Sequence, residues 1–244
     1  MTHEDSRVLV VIPACNEQGR IGRVVRSVKA TLPAASVLVV NDCSTDDTER
    51  EAREAGATVV NHLIHLGYGA GLETGYLYAL KHGSDIIVQM DGDGQHIPEE
   101  IPKIISPVLN GEADITLGSR YLHPGNDYRT SFTRRVGQKF FGMIFSLLTG
   151  YRITDPTSGF QGMNRKAFEL FSRGFFPHDF PDVDVLLMAH YAGFRVKEVD
   201  VIMMERSGGL SMHAGMKPFY YVIKMILSIG MVILRGRRWK HYVS

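Results

Sequence analysis

The sequence predicts an α/β fold, a mostly parallel sheet covered by helices, with a C-terminal apolar and basic helical tail. Three observations predict it. Short apolar runs alternate with helix-spaced segments of roughly ten residues, the pattern of βαβ crossovers. Polar residues gather just past the carboxyl ends of those runs, where open α/β sheets bind ligands. Finally, the last 28 residues pair an apolar stretch with a basic cluster.

Arg7–Ile12 (RVLVVI), closed by Pro13, reads as a buried strand, and residues 21–30 carry helix-spaced apolar positions. Ser36–Asn41 (SVLVVN) is a second strand and Asp46–Ala55 a helix rich in Glu and Arg. Thr58–Asn61 is a shorter strand, and Gly69–His82 a helix with Leu72, Tyr76 and Leu80 at four-residue spacing. Asp85–Met90 (DIIVQM) and Ile115–Ser119 are further strands. Beyond them the alternation weakens into an arginine-bearing loop, a helix around 136–149, a Gly/Pro turn at 155–162, a helix at 183–191 and a strand at 197–201.

The 244 residues, 44% hydrophobic and 22% charged, suit one globular domain and exclude global disorder. Residues 1–216 form the expected catalytic domain and 217–244 the tail. A net charge of +1 argues against general nucleic-acid affinity. Its distribution is uneven. Six of the 27 Lys and Arg lie from Lys217 onward, where there is no Asp or Glu, so the preceding body is acidic. Cys15 and Cys43 give neither a disulfide framework nor a metal spacing, which fits a reducing compartment. Residues 1–7 lack the apolar run of a signal peptide, so a cytoplasmic location is expected.

The stretch QMDGDGQHIPEEIP follows a predicted strand. Asp91 and Asp93 on a glycine-containing turn can present oxygens to one hard divalent cation, and Mg²⁺ and Mn²⁺ leave positions open for phosphates. A calcium loop of twelve residues is absent; a solvated turn is the alternative. The loop PACNEQG carries neither GxGxxG nor a Walker A pattern, which excludes most dinucleotide oxidoreductases and P-loop NTPases. Asp42, one residue past a strand, can accept hydrogen bonds from a base N–H or from ribose. Gly67, Gly69 and Gly71 precede a helix whose N-terminus could approach a phosphate, or they serve tight helix–sheet packing.

VVIPACNEQGRI, VVNDCSTDDT, MDGDGQHIPEEIP, DITLGSR, DPTSGFQGMNRKAF and EVDVIMMERSGGLS, in this order, resemble the blocks of the family 2 inverting glycosyltransferases. The branch they most resemble is the dolichol-phosphate mannose synthase-like one. The resemblance implies a Rossmann-like glycosyltransferase-A fold, a GDP- or UDP-hexose donor, and Mg²⁺ or Mn²⁺ held by Asp91, Asp93 and Gln95. It implies nucleotide contacts from Pro13, Asn16, Glu17, Asp42, Gly69 and Asp91, and reaction roles for Asp93, Arg120, Arg206 and Asp184. Arg120 and Arg206 would clamp phosphates, assisted by one of Arg129, Arg134 and Arg135. Asp184 would touch a sugar hydroxyl or act as a weak base. The branch further implies a polyprenyl-phosphate acceptor at an anionic membrane surface. A hydroxyl acceptor on a saccharide, protein or small metabolite is the alternative.

The tail fits the membrane expectation. Residues 219–234 are mainly apolar and are followed by Arg235, Arg237, Arg238, Trp239 and Lys240, the pattern of an interface helix docked on the cytoplasmic leaflet. A buried core helix is the competing reading. A partner membrane protein or a homo-oligomer completes the expected associations.

Overall fold

The structure is a computed structural model that describes residues 6–122, 132–179, 181–204, 217–236 and 238–239. Seven strands form one sheet: β1 (Val8–Ala14), β2 (Ser36–Asp42), β3 (Thr58–His62), β4 (Ile86–Gln89), β5 (Ile115–Ser119), β6 (Gln161–Asn164) and β7 (Val196–Asp200). Their order is β3-β2-β1-β4-β6-β5-β7. Every pairing is parallel except those of β6, which runs antiparallel to both β4 and β5.

The central strands read as unbroken apolar runs because both faces of the sheet are covered. Alternate residues serve opposite faces. Val10, Ile12, Val37, Val39 and Val88 pack with helices α1 (Ile21–Thr31), α2 (Thr48–Glu54) and α4 (Ile101–Leu109). Leu9, Val11, Leu38, Val40 and Ile87 face α3 (Tyr68–His82), α5 (Phe132–Thr149), α6 (Arg165–Phe171), α7 (Val183–Ala192) and α8 (Lys217–Arg235). Helix α3 lies against β1 because it carries no side chain where they meet. A Cβ on Gly75 would stand 2.2 Å from Val11 Cγ1, and one on Gly71 would stand 3.2 Å from Pro13 Cβ.

Strand β6 begins at the end of the expected 155–162 turn, and helix α6 follows where no element is expected. Four residues, Gln-Gly-Met-Asn, are too short for a period to show. Gly162 is there for close approach, since its Cβ would come within 2.8 Å of Ile104 on α4. Asn164 then ends the strand and caps α6, its side-chain oxygen accepting from Ala167 N–H at 3.1 Å.

The tail combines a buried face with an exposed one. Helix α8 buries Met225, Ile229 and Val232 in the core on the α3–α7 side of the sheet. Trp239 folds back and is 1% exposed, with its indole N–H donating to Val232 O at 3.1 Å. Arg235 stacks over the Phe175 ring at 4.6 Å. The indole assigned to a headgroup anchor therefore closes the core against α8 and Phe175, while Arg235 covers the Phe175 ring from an exposed position. The opposite face of α8, with Tyr220, Ile223, Leu227, Met231 and Leu234, is exposed. No described helix is long and apolar enough to cross a membrane.

Candidate active site

The carboxyl ends of β1, β2 and β4 bring the expected loops together. Asn16, held at φ +56°, accepts from Thr45 N–H at 2.9 Å and so ties the loop after β1 to the loop after β2. Its own N–H donates to Ser44 Oγ, and that of Glu17 to Thr48 Oγ1. Glu17 pairs with Arg20 at 2.6 Å. Its Cγ would lie 3.5 Å from a Cβ on Gly92, which sets this loop against the acidic one. Pro13 is buried against Gly71.

Asp42 is 3% exposed and heavily bonded. Its oxygens accept from Leu66 N–H at 2.9 Å and Gly67 N–H at 2.8 Å, and lie 2.8 Å from His62 Nδ1 and His65 Nδ1. Burial alone would raise its pKa. The bonds from Leu66, His62 and Gly67, with the nearby His65, outweigh burial and hold the carboxyl below its ordinary value. The carboxylate thus shapes the 62–67 loop, which presents Leu63, Ile64 and Leu66 to solvent.

The acidic loop after β4 is braced from behind. His96 is buried and accepts from Asp91 N–H at Nδ1, 2.9 Å away, which leaves its proton on Nε2. That nitrogen lies 3.7 Å from Asp91 Oδ2. Burial pushes the imidazole pKa down. Phe160 stacks on the ring at a centroid distance of 4.9 Å. Gln95 bonds Asp93 twice, through its backbone N–H at 3.0 Å and through its side-chain amide. Tyr68, at the start of α3, donates its hydroxyl to Asp91 Oδ1 at 2.8 Å.

The fit to a divalent cation rests on this donor set and on Gly159. Asp91 and Asp93 are two hard oxygen donors on one turn. A Cβ on Gly159 would stand 3.3 and 3.5 Å from the two Asp91 oxygens, so the glycine keeps space open over that carboxylate. Among the described residues no three His, Cys, Asp or Glu side chains converge as a ready-made metal site. Two carboxylates with water and a diphosphate completing the shell is the Mg²⁺ or Mn²⁺ pattern.

The other expected residues are placed differently. Arg120 is 4% exposed and Asp155 0%, and they form a buried fork-to-carboxylate pair at 2.6 and 2.8 Å. The guanidinium assigned to a substrate phosphate is spent on Asp155. Asp155 opens a turn held from β7. Glu198 accepts from the Thr154 and Asp155 N–H groups, and burial raises its pKa. Asp184 is 1% exposed and accepts from Ser228 of α8, while Asp182 accepts from Tyr221 at 2.7 Å. Asp184 thus lies between two helices, away from solvent. The N–H of Gly69 donates to His178 O at 2.7 Å, and a Cβ there would sit 1.9 Å from Pro177 O. Chain crossing accounts for that glycine without a phosphate. Arg135 is exposed on α5. Arg129 and Arg206 lie outside the described residues, as does the side chain of Arg134. Met204, the last described residue before Arg206, donates its N–H to Gln95 O at 2.8 Å.

The sequence reading passed over Tyr68, His62 and His65. Tyr68 sits inside the Gly-rich stretch already singled out, but a tyrosine at a helix start carries no distinctive signal. The two histidines lie at the end of an edge strand, where their partnership with Asp42 shows only in three dimensions.

The profile of Glycosyl transferase family 2 matches residues 9–171, two thirds of the chain. The chain belongs to this family. It is a family 2 hexosyltransferase, as its sequence blocks predict. It is 31% identical over 196 residues to the uncharacterized protein MJ1222 of Methanocaldococcus jannaschii, covering 80% of each chain. It is 32% identical over 221 residues to Polyprenol monophosphomannose synthase of Mycolicibacterium smegmatis, covering 86% of this chain and 82% of that one. The fold matches glucosyl-3-phosphoglycerate synthase from Mycobacterium tuberculosis, solved with Mn²⁺, UDP and phosphoglyceric acid, at a TM-score of 0.74 and 21% identity. The match covers 93% of this chain and 80% of that one.

The family 2 fold, with its mixed sheet between helices, and the expected divalent metal agree with these structures, which hold Mn²⁺ beside a uridine nucleotide. The narrower expectations are corrected. The shared fold is that of an enzyme crystallised with a small acid. The expected dolichol-phosphate mannose synthase-like branch, polyprenyl-phosphate acceptor and anionic membrane surface give way before this structural likeness. The expected placement on the cytoplasmic face of a membrane falls with them, since the anchor residue Trp239 is core.

Proposed function

We propose that this family 2 enzyme transfers a hexose from a UDP-sugar to a hydroxyl of a small acidic metabolite. The observation that carries the proposal is the braced Asp91–Asp93 turn at the mouth of a fold shared with a synthase that binds Mn²⁺, UDP and phosphoglyceric acid. Asp91 and Asp93 would hold Mg²⁺ or Mn²⁺, with Gln95 fixing the Asp93 carboxylate. When bound, the cation supplies charge neutralisation for the departing diphosphate.

The remaining roles belong to the chain itself. Asp42 holds the 62–67 loop in place by its backbone N–H groups, and the apolar Leu63, Ile64 and Leu66 offer packing for the base. Asn16 locks the neighbouring loop through Thr45. The Arg120–Asp155 pair and Glu198 keep the 154–160 turn pressed on the acidic loop. Arg206, which lies outside the described residues, would supply positive charge to an acidic acceptor, since a guanidinium suits bidentate contacts to such groups.

Product formation tests the proposal. UDP- and GDP-hexoses are offered with phosphoglyceric acid, related hydroxy acids and a short polyprenyl phosphate, with and without Mn²⁺. The expected result is metal-dependent transfer from a UDP-sugar to a small acid. Transfer to the polyprenyl phosphate alone, or turnover unchanged by a chelator, overturns it.

A further inference from the structure

Resting on the assignment of the metal to Asp91 and Asp93, we propose that Tyr68 is a positioning residue that aims the Asp91 carboxylate at the cation. Its hydroxyl donates to Asp91 Oδ1 at 2.8 Å. Among the described residues Oδ2 takes no hydrogen bond, and His96 Nε2 lies 3.7 Å from it. One oxygen is therefore fixed and the other is left to face the loop.

The hydroxyl can fix an oxygen because Tyr68 is itself pinned on both sides. The N–H of Gly67 donates to Asp42 Oδ2 at 2.8 Å, and that of Gly69 donates to His178 O at 2.7 Å. Helix α3 is further seated on β1 through Gly71 and Gly75. The tyrosine thus projects from a backbone that three separate segments hold. Gly159 completes the arrangement, because a Cβ there would fall 2.9 Å from the Tyr68 hydroxyl oxygen and displace it.

A tyrosine also suits the charge requirement. A lysine or arginine at this point would neutralise the carboxylate and compete with a cation. A phenol orients the carboxylate by donating one hydrogen bond to Oδ1 while adding no positive charge beside it. Without the hydroxyl, rotation of the Asp91 carboxylate toward His96 Nε2, 3.7 Å from Oδ2, would hold it away from the cation.

The test is calorimetric titration of Mn²⁺ into the protein with UDP present, for wild type, Tyr68→Phe, Gly159→Ala, Asp91→Asn and Asp93→Asn. Outer partners of metal ligands typically contribute about 10–100-fold in affinity. Tyr68→Phe is expected to weaken Mn²⁺ binding by roughly 10-fold while leaving metal-free UDP binding unchanged. Gly159→Ala, whose Cβ would stand 2.9 Å from the Tyr68 hydroxyl and 3.3 Å from Asp91 Oδ1, crowds that hydrogen bond from both ends; it is expected to shift Mn²⁺ affinity in the same direction and serves if Tyr68→Phe does not fold. Normal Mn²⁺ affinity in Tyr68→Phe, or in Gly159→Ala when the phenylalanine variant is unfolded, overturns the proposal when Asp91→Asn has weakened binding. If Asp91→Asn and Asp93→Asn also bind Mn²⁺ normally, the metal assignment itself fails, and the role of Tyr68 falls with it.

Discussion

Replacing Arg120 by alanine separates a substrate clamp from a structural pair. The guanidinium and the Asp155 carboxylate are 5% and 0% exposed as side chains and meet at 2.6 Å. Removing the arginine leaves a carboxylate in the interior with Gln138 Nε2 at 3.5 Å and the Arg120 backbone N–H at 3.3 Å as weak substitutes. Breaking a buried pair in this way costs about 3–5 kcal/mol, because the surviving charge is uncompensated. For a chain of this size each kcal/mol lowers Tm by roughly 2–4 °C, so a fall of about 6–20 °C is expected. Replacing both partners with apolar residues of similar volume should recover much of that loss. Thermal unfolding of Arg120→Ala, Asp155→Leu and the double variant Arg120→Met/Asp155→Leu, measured beside the KM for acceptor, decides the matter. A near-normal Tm in Arg120→Ala together with a large rise in acceptor KM would refute the structural assignment and restore the arginine to the substrate.

Three further outcomes follow from the same geometry. Asp93→Asn should lower turnover at least ~100-fold with the fold intact, since metal stabilisation of a leaving group is worth several kcal/mol and about 1.4 kcal/mol is a factor of ten; saturation kinetics with excess Mn²⁺ checks it. Gly69→Ala places a methyl 1.9 Å from Pro177 O and should cost stability by about 1–3 kcal/mol or more, read by denaturant unfolding, with UDP affinity of the folded protein little changed. Burial raises the Asp184 pKa above its usual 3.8, so the native state keeps a proton that the unfolded chain has lost. Stability from this group is present below that value and declines as pH rises through the raised pKa. Asp184→Asn should flatten that decline, and unfolding free energies measured from pH 4 to pH 8 would show no change in slope if the carboxyl does not titrate there. Asp42 and Asp114, whose pKa values are lowered, act oppositely and withdraw stability as pH falls through their range.

The first half of the fold was legible because local pattern and tertiary role coincide there. Val10, Ile12, Val37 and Val39 are apolar and are buried by helices on their face of the sheet. The acidic turn was legible for a similar reason, as Asp91 and Asp93 stand at a strand end where burial statistics would not put them. Strand β6 was hidden because its pairing is antiparallel and long-range, and Gly162 is a packing residue that imitates a turn residue. The burial of Arg120 against Asp155 was not legible, for a different reason. Its partner Asp155 lies 35 residues away, and the sequence does not show which cations are already neutralised. Tyr68 escaped because its meaning depends entirely on one oxygen of Asp91.

Helix α8 shows the same limit with a functional consequence. An apolar stretch followed by arginines and a tryptophan has the composition of an interface anchor, and composition alone does not distinguish it from a core helix. The difference lies in the polar residues along it. Ser228 bonds Asp184 and Tyr221 bonds Asp182, so the start of α7 depends on hydroxyls contributed by α8. Without α8, Asp184 would lose its Ser228 partner, and Met225, Ile229 and Val232 would leave the core at the same time. Cutting the chain after Met216 therefore perturbs the body of the enzyme as well as its tail, and activity lost on truncation carries no information about a surface that α8 contacts. Substitutions confined to the outward face, such as Leu227→Gln and Met231→Gln, leave the Ser228 and Tyr221 bonds in place. They isolate whatever the exposed side of α8 contributes from what its buried side holds together.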